Sequence, residues 1–385
     1  MNNSIWILFQ IIIGYNLVLP MILFVFYKLF KHSIKSNTNI TASYDYAIIV
    51  TAYEQTAQLP DVVNSLLKLN YENYLIYIVA DKCDISNLHF NDPRVIVLKP
   101  EKVIASNVGS HFYAISNFLR KHEILTIIDS DNLADPEYIN QLNVYFNSGF
   151  DAVQGIRKAK NLNTTFACLD AARDIYYHFY DGEILFGLGS SATLSGSGMA
   201  FKTDLYKSAL EGPAISGAGF DKVLQAKILK KGKRIAFAKH AIVYDEKTSN
   251  SSQLVNQRAR WINTWFKYFI NGFDIIGLGI RNFNFNQLLF GIVLLRPPLF
   301  IFILLSILCS LISVFVSPFH TLFWFGAFIL FIFSFFIALW SHPTDSRIYR
   351  SLFNIPKFIC LQLLSLMYAR KANKRSVATK HIVNS

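Results

Sequence analysis

Two long apolar regions bracket this chain, and they constrain its fold more than any other feature. Ile5 to Tyr27 carries no formal charge and exceeds the roughly 20 residues a helix needs to cross a bilayer core. A second apolar region opens near Leu288 and is interrupted by Arg296-Pro297-Pro298. A guanidinium at mid-membrane costs about 2.5–3.5 kcal/mol on insertion scales. Arg296 is therefore expected at an interface, with the Pro pair in the first turn of a helix. That leaves Leu299 to Val316 and Leu322 to Trp340 as two spans, with Ser317-Pro318-Phe319-His320 as the tight turn between them. The leading segment has no basic residue in MNNS and no small-residue cleavage site before Lys28, so it reads as an uncleaved anchor.

Composition supports a membrane protein. Of 385 residues, 52% are hydrophobic and 34 are Phe, and the mean hydropathy is +0.32, high for a soluble globule. The formal charge of +12 sits beside the apolar segments: Lys28, Lys31 and Lys35 after the first, Arg370, Lys371, Lys374 and Arg375 after the last. That placement points to membrane lipids rather than nucleic acid. By the positive-inside rule the domain following the first span is cytosolic, and Arg347 and Arg350 fall on the same side. If Leu352 to Tyr368 crossed, it would carry four basic residues outward, so it is read as an interfacial helix with a cytosolic tail. Trp261 to Ile276 is read as a second helix on the membrane, from the spacing of Trp261, Trp265, Phe266, Phe269 and Ile270. Cys83, Cys168, Cys309 and Cys360 form no CxxC and have no His at zinc spacing, and read as free thiols.

Between residues 45 and 245 strands alternate with helices. Tyr46–Tyr53, 75–81, 94–100 and 123–131 read as strands; 59–69 and 103–121 read as helices. This order implies an α/β domain with a mainly parallel sheet flanked by helices. Ligands bind such sheets beyond the carboxyl ends of strands. Those ends here carry Tyr53 and Glu54, Asp81, and Asp129 and Asp131, which suggests a metal and nucleotide site; solvated strand ends are the alternative for each alone. Neither GxGxxG nor GxxxxGK[ST] follows the first strand, against a dinucleotide dehydrogenase or a P-loop NTPase.

Four motifs carry possible chemistry. Asp129-Ser130-Asp131 follows a buried strand, and two carboxylates at that spacing can share one hard divalent cation, Mg²⁺ or Mn²⁺, which would bridge diphosphate oxygens. The segment from Gly217 to Gln225 sets Asp221 at a helix start, either as a dipole-favoured acid or as a general base. Gln257-Arg258-Ala259-Arg260-Trp261 is either a membrane-surface belt, a diphosphate clamp, or both. Ser195 to Phe201, with Ser197 and Gly198 at its centre, is a small-residue strand or loop that suits close passage of a ligand beside the backbone, or else a tight turn.

These segments in this order resemble membrane-bound family 2 glycosyltransferases, which include cellulose, chitin and hyaluronan synthases and ceramide glucosyltransferase. The resemblance covers residues 45–275 and the helix arrangement. It implies a GT-A-like fold in which Asp129 and Asp131 bind metal and sugar nucleotide, Asp81 helps hold the nucleotide, Asp221 is the base, and Gln257, Arg260 and Trp261 match a Q-x-x-R-W motif at the diphosphate and acceptor end. It also implies a single inverting displacement, with a UDP-sugar as default donor. The sequence departs at Phe220, where Glu is common, and at Ile104 to His111, where a basic phosphate contact is usual and Lys102 or His111 stands nearby. The expected regions are an anchor and basic linker (1–40), a catalytic domain (41–250), interfacial helices (251–298), two spans (299–340) and an interfacial helix with tail (341–385). The leading reading extends a glycan or lipid-linked acceptor, with polysaccharide-export partners or an oligomer. Its alternatives are single-sugar transfer to a lipid and a non-catalytic nucleotide-sugar-binding subunit.

Overall fold

The computed structural model describes residues 3–30, 43–211, 218–370 and 372. Lys31, Lys35, Gly217, Lys371, Lys374 and Arg375 lie outside these. Helix α1 (Asn3–Phe30) leads into β1 (Tyr46–Tyr53), α2 (Leu59–Leu67), β2 (Tyr74–Asp81), β3 (Val95–Leu98), α3 (Asn107–Ser116) and β4 (Ile124–Asp129). Next come β5 (Leu133–Ala134), α4 (Tyr138–Asn147), β6 (Ala152–Ala159), α5 (Thr165–Tyr177), a π-helical turn (His178–Ile184) and α6 (Leu185–Gly187). The domain closes with β7 (Met199–Lys202), α7 (Thr203–Leu210), α8 (Phe220–Lys230) and β8 (Ile235–Asp245). The rest is helical: α9 (Ser251–Tyr268), α10 (Asn271–Arg281), α11 (Phe285–Leu295), α12 (Leu299–Val316), α13 (Pro318–Trp340), α14 (Ser346–Ser351) and α15 (Ile355–Ala369).

The sheet order is β3-β2-β1-β4-β7-β6-β8-β5. Strands β3, β2, β1 and β4 are parallel, as the alternation implied. Beyond β4 the sheet is mixed: β7 runs antiparallel to both β4 and β6, and β5 runs antiparallel to β8. The parallel strands are apolar on both faces, with Ile48, Ile76 and Ile127 buried, because helices cover both sides. The first helix after β3 is shorter than the expected 103–121. Ala105 adopts a positive φ of 48°, and Ser106 caps α3 by accepting from the Gly109 amide at 3.2 Å.

Four helical runs are long and apolar enough to cross a membrane: Ser4–Phe30, Leu299–Val316, Pro318–Trp340 and Ser346–Ala369. Polar contacts join the first three, as expected where hydrocarbon offers no other partner. Gln10 Oε1 accepts from Trp324 Nε1 at 2.9 Å and from Ser313 Oγ at 3.3 Å. The turn between α12 and α13 is shorter than expected. Ser317 alone is extended, and Pro318 already occupies the first helical position, where its missing N–H is harmless. The helix expected over 261–276 is two helices, α9 and α10, and α9 starts ten residues earlier, capped by Asn250, whose side chain accepts from Ser252 N at 2.9 Å. Along α9 lies α15.

Gly155 marks a bulge in β6 where the ladder with β8 shifts. A Cβ there would sit 2.5 Å from the Ala241 carbonyl oxygen and 2.9 Å from that of Gly198. Both obstacles are backbone, so Gly155→Ala should cost on the order of 1–3 kcal/mol, read as a lower Tm of the detergent-solubilised protein.

Candidate active site

The DxD turn grows directly out of β4. Thr51 of β1 pairs with Asp129, which puts the Asp129 carboxyl on the C-terminal rim beside the ends of β1 and β2. The turn is fixed from beneath by Ser197, whose Oγ accepts from Asp129 N at 3.1 Å and Asn132 Nδ2 at 2.7 Å. Ser197 is fully buried and serves as a support, while its neighbours Ser195 and Gly196 line the cavity. Gly198 (φ 66°) threads against Val243, and a Cβ there would lie 2.8 Å from Val243 Cγ2. Gln154, which sequence reasoning missed, ties the same loop down, accepting from Ser195 N at 2.9 Å and donating to Ser197 O at 3.1 Å.

Asp129 is pushed up to about 7, first by burial and then by the Asp131 carboxylate, with Arg157 opposing and Asp245 and Asp221 adding to the rise. Such a concentration of oxygen donors suits a hard divalent cation. Among the described residues no group of three or more His, Cys, Asp or Glu makes a complete metal cage.

Behind the DxD lies a connected ionic chain that sequence reasoning also missed. Arg157 on β6 stands 3.6 Å from Asp174 and 3.7 Å from Asp245. Lys247 is buried between the same two carboxylates, 2.6 Å from Asp245. On α5, Arg173 meets Asp174 and lies 3.1 Å from Asp170, which also receives Arg258 of α9. Trp261 has two guanidiniums over its ring, Arg258 at 4.1 Å and Arg173 at 4.3 Å from the centroid. A signal existed: Asp170, Arg173 and Asp174 recur at helical i, i+3, i+4 spacing on a segment otherwise rich in apolar residues.

Asp221 opens α8 and lines the same cavity, with Lys222 Nζ at 3.3 Å. Gly219 precedes it at φ 99°; a Cβ there would lie 2.3 Å from Thr264 Cγ2 of α9. Glycine at this point therefore lets the N-terminus of α8 press on α9 and brings Asp221 to the helix that carries Gln257, Arg260 and Trp261, all three of which line the cavity. Phe220, on the same lining, is buried against the core, edge-on to His111 with 5.1 Å between ring centroids.

The expectation that His111 or Lys102 supplies a phosphate contact does not hold for His111. Its ring is buried, Nδ1 lies 2.7 Å from the Tyr206 hydroxyl, and burial pushes it down to about 3, so it is a neutral core residue. Lys102 lies exposed, outside the cavity lining. Tyr53, Glu54 and Asp81 also stand outside that lining, on the neighbouring strand ends. Asp81 accepts from the amides of Ile104 (3.0 Å) and Ala105 (2.6 Å) and shapes that loop. Exposed Glu54 pairs with Lys82 at 2.6 Å.

The cavity measures about 870 Å³ and has two chemically distinct ends. One holds Asp129, Asp131 and Asp221; the other is walled by Phe300, Phe331, Phe335 and Phe358 of α12, α13 and α15. Between them the π-helical turn brings Asp181 into contact with Arg296. Arg296 thus sits at the entry to α12, away from the centre of the apolar spans, as its cost in lipid demanded.

Residues 44–264 match the family model described as "Glycosyltransferase like family 2". No curated protein matches the chain. Among solved structures, the mannosyltransferase PcManGT from Pyrobaculum calidifontis, in complex with GDP-Man and Mn²⁺, shares the fold: TM-score 0.57 and 12% identity over 97% of this chain and 99% of that one. Residues 1–349 of S. aureus TarS, in complex with UDP-GlcNAc, align at TM-score 0.44 and 15% identity, over 85% and 90% of the two chains.

The buried state of His111 makes a sign-definite prediction. The unfolded chain binds a proton near the ordinary value of 6.5 and the folded chain does not until about 3. Stability present above pH 6.5 is therefore lost as pH falls. By pH 4.5 this one group should remove on the order of 2 kcal/mol, and His111→Gln should flatten that part of the Tm-against-pH curve.

Proposed function

Because the chain belongs to the glycosyltransferase-like family 2, we propose that it transfers one sugar from a nucleotide diphosphate-sugar to the hydroxyl of a membrane-lipid acceptor, with inversion. The observation that carries this reading is the single cavity joining the three aspartates to the aromatic walls of α12, α13 and α15. Those walls are chiefly Phe, Ile and Leu side chains, with Gln362 of α15 among them, and an alkyl chain is at home on such a surface.

In this reading Asp221 accepts the proton of the acceptor hydroxyl as its oxygen attacks the anomeric carbon, and the bond to the diphosphate breaks on the opposite face. Gln257 and Arg260, which line the cavity, hold the diphosphate in this reading, and Trp261 is kept in place by the two guanidiniums over its ring. Tyr53, Glu54 and Asp81 take the nucleoside side. A Mg²⁺ or Mn²⁺ ion bound by Asp129 and Asp131 would supply neutralisation of the departing diphosphate. A UDP-sugar is the default donor. Lys28 at the end of α1 and the basic residues after α15 favour a cytosolic catalytic domain, with α9 and α15 lying along the membrane surface.

The Q-x-x-R-W match favours a second reading, repeated addition to a growing glycan handed to export partners. Labelled donor separates the two: a single lipid product supports the first, a product ladder the second. Asp221→Asn should reduce transfer at least a hundredfold while donor affinity stays within a few-fold, measured by calorimetry; undiminished turnover would remove Asp221 as base. Asp129→Asn should abolish the Mn²⁺-dependent part of donor binding, read by titration with and without EDTA.

A further inference from the structure

The middle of the cavity holds charged groups that the transfer step leaves unassigned. Asp181 projects from the π-helical turn, and its carboxylate engages only one edge of Arg296, through Nη2. A guanidinium carries five N–H donors, and Arg296, whose guanidinium also lies 5.8 Å from the Tyr177 ring centroid, lines the cavity. Lys222 lies on the same wall. Its Nζ donates to Leu194 O at 2.9 Å, while the backbone carbonyl of Asp181 accepts from the adjoining Thr193 amide at 2.9 Å. Consecutive residues therefore anchor both groups. Arg296 and Lys222 both act on the Asp181 carboxylate, lowering it against a larger rise from burial.

The order of groups along the cavity is chemically specific. Arg296 runs through the Pro pair straight into α12, whose Phe300 and Ile303 begin the apolar end. Lys222 lies 3.3 Å from Asp221 at the other end. Apolar wall, guanidinium, ammonium and candidate base thus follow one another. A molecule that matched this order would have a hydrocarbon tail, then an anion, then a free hydroxyl.

We propose that Arg296 and Lys222 seat the phosphate of an acceptor lipid, with its hydroxyl-bearing headgroup at Asp221 and its chain between α12, α13 and α15. This rests on the lipid-acceptor reading above. Asp181 is a positioning residue: it holds Arg296 in register and stands where the acceptor phosphate would compete for the same guanidinium. The phosphate itself is unchanged in the reaction. The acceptor oxygen bonds to the anomeric carbon, its proton passes to Asp221, and the diphosphate leaves with the electron pair of the broken bond. The recognition chemistry is shared by a glycerophospholipid with a polyol headgroup and a prenyl-diphosphate-linked saccharide, and the acceptors compared below distinguish them.

The test uses the full-length protein in nanodiscs with a donor fixed by a nucleotide-release screen. Three acceptors are compared: a phosphatidylglycerol, a prenyl-diphosphate-linked monosaccharide, and a neutral glycolipid of similar chain length. The expected result is a kcat/KM at least tenfold higher for one of the two phosphate-bearing lipids than for the neutral one; which of them it is identifies the source. Arg296→Gln should raise KM for that lipid about tenfold with a smaller change in kcat, and Arg296→Lys should recover most of the loss. Equal use of the neutral glycolipid by the unaltered protein, or an equal KM penalty on both acceptor types in Arg296→Gln, would overturn the phosphate seat alone. Labelling of a soluble oligosaccharide with no lipid labelled would overturn the lipid reading and this inference with it.

Discussion

The ionic chain centred on Asp174 is the constraint on which the rest of the site depends. An ion taken from water into protein loses several kcal/mol of solvation unless an opposite charge replaces it. Asp174 and Lys247 are both buried, so each fixes the other. Arg157 comes from β6, Asp174 from α5 and Lys247 from the residues after β8. These segments are far apart in sequence, and only one packing of the helix on the sheet brings their charges together. The arrangement trades some stability for a rigid charged platform beneath the DxD, with Arg157 as its nearest cation.

The same chain reaches the far side of the site. Arg258 of α9 meets Asp170 of α5, and Arg173 and Arg258 both lie over Trp261. The helix bearing Gln257, Arg260 and Trp261 is therefore held to α5 by charge and ring contacts. Gly219 adds the third point of attachment, because without a Cβ the α8 terminus can press against Thr264. Donor-side carboxylates, candidate base and Arg-Trp helix are set by one connected set of contacts.

What was legible in the sequence was what local pattern determines. The strand at Tyr46–Tyr53 agrees with its expected bounds and Asp81 ends β2 as expected, since buried parallel strands read as short apolar runs; the fourth strand, expected over 123–131, stops at Asp129, where the DxD turns out of the sheet. Ser195 to Phe201 read as a strand or loop, but the antiparallel pairing of β7 was not legible. Its four residues follow a glycine-rich loop, and the pairing that makes them a strand lies with β4 and β6, far along the chain. The π-helical turn was equally hidden: one extra residue per turn leaves no composition signal, and its register is set by close packing, with Gly182 so near Phe237 that a Cβ would come within 2.6 Å of the ring. His111 was misjudged for a related reason. A histidine in a polar stretch looks available, and only the tertiary neighbours Tyr206 and Phe220 make it core. The same contact accounts for Phe220, where the family pattern favours Glu.

The long apolar helices line the candidate site as well as flanking the α/β domain. Phe358 of α15 packs with Leu169 of α5 and Leu254 of α9, and its ring centroid lies 6.0 Å from the Arg258 guanidinium. Ile262 of α9 meets Phe300 of α12 and Ala369 at the end of α15. Arg258 is thus shared between an acidic partner in the catalytic domain and an aromatic one on a helix apolar enough to enter lipid. A shift of α15 would alter the packing around Arg258, and through Asp170 and Arg173 that change reaches Asp174 and the base of the DxD. The same contacts join the apolar helices to the ionic chain beside the DxD.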